Sequence, residues 1–130
     1  MSRVLALATL VGALVAAPKI NAYVYEPGSP SWSSGTVTFV LSLGSPGQTL
    51  SDGSTSWNTP AAAALAIWNQ YMQNLQLNGV VNDSAPVSQG DGVNSVAFAS
   101  TFFGSSFGSN TLAITGYSYS GGRMTEANVL

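Results

Sequence analysis

The chain has 130 residues, 45% of them hydrophobic but only 6% charged, where an ordinary domain carries about 25% charge. That length allows at most one domain. Lys and Arg total three, so there is no basic stripe to neutralise phosphates, and nucleic acid is excluded as a partner. Polarity comes instead from Ser, Thr, Asn, Gln and Gly, a mixture that suits strands and turns better than helical bundles.

The first segment, MSRVLALATLVGALVAAPKINAY, starts with a cation at Arg3 and runs apolar from Val4 to Ala17. The run has signal-peptide length and falls short of the roughly 20 residues that span a bilayer. Cleavage after Ala17 would leave Pro18 first in the mature chain, which is disfavoured. Cleavage after INA, before Tyr23, is therefore expected; the alternative is a buried N-terminal helix. The mature chain would keep one cation, Arg123, against Glu26, Asp52, Asp83, Asp91 and Glu126. With no cysteine it uses no disulfides, which fits a bacterial secreted or periplasmic protein better than a small extracellular eukaryotic module. Residues 1–22 are thus read as a signal peptide, 23–35 as an irregular lead-in with Pro27 and Pro30, and 36–130 as one subdomain. No membrane association is expected beyond the signal peptide.

GTVTFVLSLG alternates with period 2: Val37, Phe39, Leu41 and Leu43 share one face, and Thr36, Thr38, Val40 and Ser42 the other. Turns at Pro46-Gly47 and Asp52-Gly53 follow. TPAAAALAIWNQYMQNLQL then reads as a helix from Pro60 to about Asn74, with Thr59 as cap and Pro60 at the first helical position. Ala61, Leu65, Trp68, Met72 and Leu75 form its apolar stripe, flanked by Ala64 and Tyr71, while Asn69, Gln70 and Gln73 face away. LQLNGV is a short strand candidate, VNDSAPVSQGDG a loop and VNSVAFAS a second strong strand. TFFGSSFGSN is too irregular for either element. TLAITGYSYS forms the first arm of a closing hairpin, turned at Gly121-Gly122. Its apolar parity shifts across Gly116, which predicts a bulge there. The segment Met124 to Leu130 is the second arm. The fold class expected from these elements is α+β: a twisted mixed sheet of about five strands, with one helix packed on one face and a parallel crossover between the first two strands.

GSSFG, Gly104 to Gly108, matches the G-x-S-x-G pattern centred on Ser106, but the chemistry requires a general base. The chain has no histidine, and no helix follows the motif, so a flexible loop is the better reading. Without His or Cys, tetrahedral nitrogen and sulfur ligation of zinc is impossible within the chain. Asp83 and Asp91 share a loop but lack the spacing of a calcium loop, and Asp52-Gly53 and Asp91-Gly92 read as turn pairs. Asp52, Asp83, Asp91 and Glu126 could converge for acid–base work, but their spacing does not require it. Exposed loop charge is the expectation.

Five pieces carry a resemblance in their order and spacing. They are W-x-x-G-T-V-T-F (Trp32, Gly35 to Phe39), A-L-A-I-W-N (Ala64 to Asn69), G-V-N-S-V-A-F (Gly92 to Phe98), L-A-I-T (Leu112 to Thr115) and G-R-M-T-E-A-N-V-L (Gly122 to Leu130). From Trp32 to Leu130 the chain resembles the N-terminal half of the catalytic domain of secreted bacterial matrixin-like zinc metalloproteases, members of the metzincin group. The last piece is similar to the family's I-T-E-A-D-V-x-F-N strand, with Asn128 where Asp is usual. The resemblance implies an incomplete zincin-like domain. In the family a second helix follows, covering part of the other sheet face and bearing H-E-x-x-H-x-x-G-x-x-H, and that segment lies outside this sequence. Neither the zinc ligands nor the catalytic glutamate is therefore expected here, and the chain alone should be inactive. By the same resemblance Leu112, Ala113, Ile114 and Thr115 are the edge strand that binds an extended peptide by main-chain pairing; the alternative is that they pair with neighbouring strands on both sides. Peptide or protein substrate would be the partner of a completed domain. Self-association through exposed sheet surface is expected of the chain alone. A different class remains open, a small secreted β-rich binding or surface protein that makes contacts through Tyr117, Tyr119, Trp32 and the Phe-rich loop.

Overall fold

The computed structural model describes Gly28 and residues 30–130. The expected signal peptide and most of the lead-in lie outside the described residues. The elements are β1 (Gly35–Ser42), α1 (Asn58–Asn69), β2 (Leu75–Val81), β3 (Asn94–Ala97), β4 (Thr101–Phe102), β5 (Ser105–Ser106), β6 (Thr115–Ser120) and β7 (Arg123–Val129). Five strands form one sheet in the order β2-β1-β3-β7-β6, and β4 pairs with β5 separately. β1 runs parallel to β2 and β3, β3 parallel to β7, and β6 antiparallel to β7. Among the described residues the fold is α+β, with a mixed five-stranded sheet and one helix. Among the described residues no helix is long and apolar enough to cross a membrane.

The alternation read in β1 sorts its two faces. A Cβ added at Gly79 would lie 2.8 Å from Leu41 Cδ1 and 3.3 Å from Leu65 Cδ1. Gly79 pairs with Phe39, so the odd-numbered residues of β1 and β2 face α1. Val37 and Leu41 are buried there, Leu41 completely. Gly79 lets the helix and β1 close over β2, since any larger residue would collide at that spot.

The helix departs from its sequence reading at both ends. It begins at Asn58, so Pro60 falls third in the first turn rather than first, and Thr59 is not the cap. Pro60 is tolerated because the first four N–H groups of a helix lack intrahelical partners in any case. Ser56 takes over capping: its Oγ accepts from Asn58 N at 3.2 Å, and its carbonyl accepts from Thr59 N at 3.3 Å. At the other end the helix stops at Asn69, and Leu75 belongs to β2. Ala61, Leu65 and Met72 do turn inward, but Trp68 is 62% exposed and Asn69 faces the sheet. Asn69 displaces Trp68 because its amide meets a peptide group that a ring cannot satisfy: Leu77 N donates to Asn69 Oδ1 at 2.7 Å, and Asn69 Nδ2 donates to the Leu77 carbonyl at 2.8 Å.

The bulge also moves. It lies between Ser118 and Tyr119 rather than at Gly116. At Gly116 the glycine serves close approach instead, because a Cβ there would lie 2.6 Å from Phe102 Cζ. The hairpin turn is as read: Gly121 and Gly122 take φ of 58° and 73°, the left-handed pair that a two-residue turn between twisted strands requires. The Phe-rich segment, read as irregular, contains the β4–β5 hairpin. Its turn has Phe103 at φ 47° beside Gly104 at φ 89°. A phenylalanine where Asn or Gly is usual hid that turn from the sequence. Phe103 packs edge-on against Phe102 at 4.9 Å between ring centroids.

Candidate functional site

β6 and β2 are the two edges of the sheet. Leu112 and Ala113 precede β6 and are exposed, Leu112 fully. Ile114 exchanges both main-chain bonds with Leu130, its N–H donating at 2.8 Å and its carbonyl accepting at 2.9 Å. Thr115 opens β6 opposite Val129. Because successive residues of a strand turn their peptide groups to opposite sides, Ile114 faces β7 and the peptide groups of Thr115 face the outer edge of the sheet. Of the four, Thr115 alone lies in β6 and Ile114 extends its ladder through Leu130, whereas Leu112 sits in a bend and Ala113 belongs to no strand. Beyond them, Tyr117 and Tyr119 stack at 6.1 Å between centroids.

The carboxylates do not converge. Glu126 is buried at 2% exposure. Its Oε1 accepts from Gly90 N at 2.8 Å and from Asn128 Nδ2 at 2.7 Å, and its Oε2 accepts from Gly92 N at 2.8 Å. Burial opposes its charge, but these donors and the Asp91 backbone outweigh that cost and hold its pKa below the ordinary glutamate value. Glu126 thus fastens the 82–93 loop to β7. Asn128, 1% exposed, adds a bond from Nδ2 to the Ser88 carbonyl at 3.1 Å, while its Oδ1 has no partner among the described residues.

The aspartates serve local turns and ties. Asp52 Oδ1 accepts from Ser54 N and Ser54 Oγ, which lower its pKa, and Asp91 Oδ1 accepts from Val93 N. Asp83 accepts from Gly44 N at 2.9 Å and from Asn58 Nδ2 at 2.8 Å, while buried Asn58 accepts from Leu43 N at 2.9 Å. That network ties the ends of β1 and β2 to the start of α1. Spacing along the chain carries no signal for it, since Asn58 and Asp83 are 25 positions apart.

Among the described residues no group of three or more His, Cys, Asp or Glu could hold a metal ion. With neither His nor Cys anywhere in the sequence, the donors a zincin uses are not present, so the residues do not fit a catalytic zinc. Ser106 lies exposed in β5, so the loop reading is corrected to a short hairpin strand, and no helix begins at it as the G-x-S-x-G context requires.

A cleft of about 480 Å³ opens beside Trp32, Ser34, Thr36, Thr38, Asn94 and Met124. It arises because β3 has only four residues between eight in β1 and seven in β7. Asn94 spans part of the gap, its Nδ2 donating to the Thr38 carbonyl at 2.9 Å and its Oδ1 accepting from Ala127 N at 2.9 Å. Ser31 lies against the far end of β7, donating to the Gly122 carbonyl and accepting from Met124 N. Comparison of the chain with protein-family models, with curated proteins and with solved structures returns no match.

Proposed function

We propose that residues 36–130 are the substrate-facing part of an exported zinc-dependent metalloendopeptidase, inactive by themselves and dependent on a zinc-binding segment that these 130 residues do not contain. The observation that carries this reading is the edge strand. Leu112–Thr115 leads into an antiparallel strand at the margin of an otherwise parallel sheet, with Leu112 and Ala113 exposed. Outward-facing peptide groups at a sheet margin suit an extended peptide, whose own main chain supplies the complementary donors and acceptors. The order of sequence pieces that resembles the matrixin-like proteases supports the same reading. No chemical step is assigned to this chain, because among the described residues no three His, Cys, Asp or Glu side chains gather to hold a metal, and the carboxylates are engaged in turns and ties.

The test is the encoding DNA past codon 130. A helix-forming segment with two histidines four apart, in any frame, supports the proposal; a stop with no such segment in any frame overturns it. A second reading, a secreted β-rich binding protein, draws on Trp32 at the uncharged cleft and on the stacked Tyr117–Tyr119 pair. It would gain from that stop, and from loss of ligand binding on Trp32→Ala.

A further inference from the structure

The two edges of the sheet are finished differently. Gly35 N donates to the Asn74 carbonyl and Asn82 N donates to the Leu41 carbonyl, which fixes the even-numbered peptide groups of β2 toward β1. The odd-numbered ones, Leu75, Leu77, Gly79 and Val81, therefore face outward. Among the described residues no strand pairs with this row; such a row is a template for another chain, and the β2 sequence LQLNGVV is uncharged and ends in two β-branched valines. Nothing in β2 itself discourages pairing: it has no Lys, no Pro and no bulge.

Two side chains occupy part of that row. Asn69, at the last position of α1, bonds both groups of the Leu77 peptide at 2.7 and 2.8 Å, as a neighbouring strand would. Gln76 Nε2 donates to the Leu75 carbonyl at 2.9 Å and to the Met72 carbonyl at 3.2 Å. With Leu75 and Leu77 engaged, a partner strand could reach only the Gly79 and Val81 peptide groups, too few for a stable ladder.

We propose that Asn69 is an edge clamp: its carboxamide replaces the missing neighbour of β2 and keeps a second copy of this chain from pairing through that edge. The helix can present an amide there because it ends at Asn69, at the level of the centre of β2. The clamp also explains why a polar residue takes the inward position that the apolar pattern would give to Trp68. Strand addition is thereby restricted to the β6 side of the sheet.

The experiment compares the full chain with Asn69→Ala, Asn69→Asp and the exposed-site control Gln70→Ala. Amide exchange is read at Leu77 and Val80, and sedimentation velocity across a concentration series reads association. Asn69→Ala should speed Leu77 exchange about ten-fold, the loss of one net hydrogen bond, and leave Val80, which bonds β1, unchanged. It should also increase concentration-dependent association, and a peptide copying Leu75–Val81 should bind this variant better than the parent. Asn69→Asp keeps the acceptor for Leu77 N–H, so it should retain Leu77 protection while setting a carboxylate against the Leu77 carbonyl. Unchanged Leu77 exchange in Asn69→Ala, or association no greater than in Gln70→Ala, would overturn the proposal. Should Asn69→Ala not fold, loss of Leu77 protection in folded Asn69→Asp would overturn it equally.

Discussion

Replacing Glu126 with glutamine isolates the contribution of one buried charge. The carboxylate accepts three bonds of 2.7–2.8 Å, from Gly90 N, Gly92 N and Asn128 Nδ2. Glutamine offers one oxygen and one NH₂. In its better orientation the oxygen keeps Gly90 and Asn128, and the NH₂ is turned onto the Gly92 N–H, donor against donor. One buried donor left unmatched costs about 1–3 kcal/mol. The two surviving bonds lose their charge assistance, which roughly halves them. Glu126→Gln should therefore cost about 2–4 kcal/mol at neutral pH, a large part of a typical 5–15 kcal/mol. The sign with pH follows from the lowered pKa. The stabilisation is present above the ordinary glutamate value and disappears as pH falls through the folded value. Denaturant unfolding of both proteins at pH 7 and at pH 3 should give curves that separate at pH 7 and lie closer together at pH 3. Amide exchange at Gly90 and Gly92 should accelerate in the variant at pH 7. Asp52, also lowered, contributes acid sensitivity of the same sign to both proteins and leaves their difference intact. A loss below about 0.5 kcal/mol at pH 7, or an equal difference at both pH values, would refute the view that the charge of Glu126 holds the loop.

Four further outcomes are expected. Leu41→Ala should destabilise by about 2–5 kcal/mol as a cavity mutation of a fully buried residue. Gly79→Ala should cost about 1–3 kcal/mol by overpacking against it, and the double variant should cost less than the sum, measurable as coupling in a denaturation cycle. Gly116→Ala should detach the Phe102 ring from β6, shifting the Phe102 and Phe103 ring resonances; Phe102→Ala made first should make the second change nearly silent. The described residues bury only four apolar side chains and leave Ile67, Trp68, Tyr71, Val80, Val81, Phe98, Leu112 and Tyr119 exposed, each wet aliphatic or aromatic group forgoing about 1.5–3 kcal/mol. The chain alone should therefore unfold at ordinary mesophile temperatures or below, or associate as concentration rises; a monomeric, cooperative transition well above that range would contradict this.

The sequence by itself determined the class of fold. The strands read in GTVTFVLSLG and VNSVAFAS, the alanine-rich helix and the Gly121-Gly122 turn each follow from local sterics and the period of apolar side chains, and all are present, with the helix and the second strand displaced or shortened at their ends. It also determined that no histidine or cysteine donor can come from these 130 residues, since the absence of imidazole and thiol is a matter of composition. Tertiary structure alone decided which polar residues go inside. Asn58, Asn69, Glu126 and Asn128 look like surface residues by type, yet each turns inward because a distant peptide group or side chain there needs a hydrogen-bond partner. The placement of Gly79 under Leu41 and of Gly116 under Phe102 is likewise a consequence of packing between segments. Periodicity reports the solvent preference of a side chain, whereas the need of a buried peptide group for a partner arises only once the chain has brought it away from water.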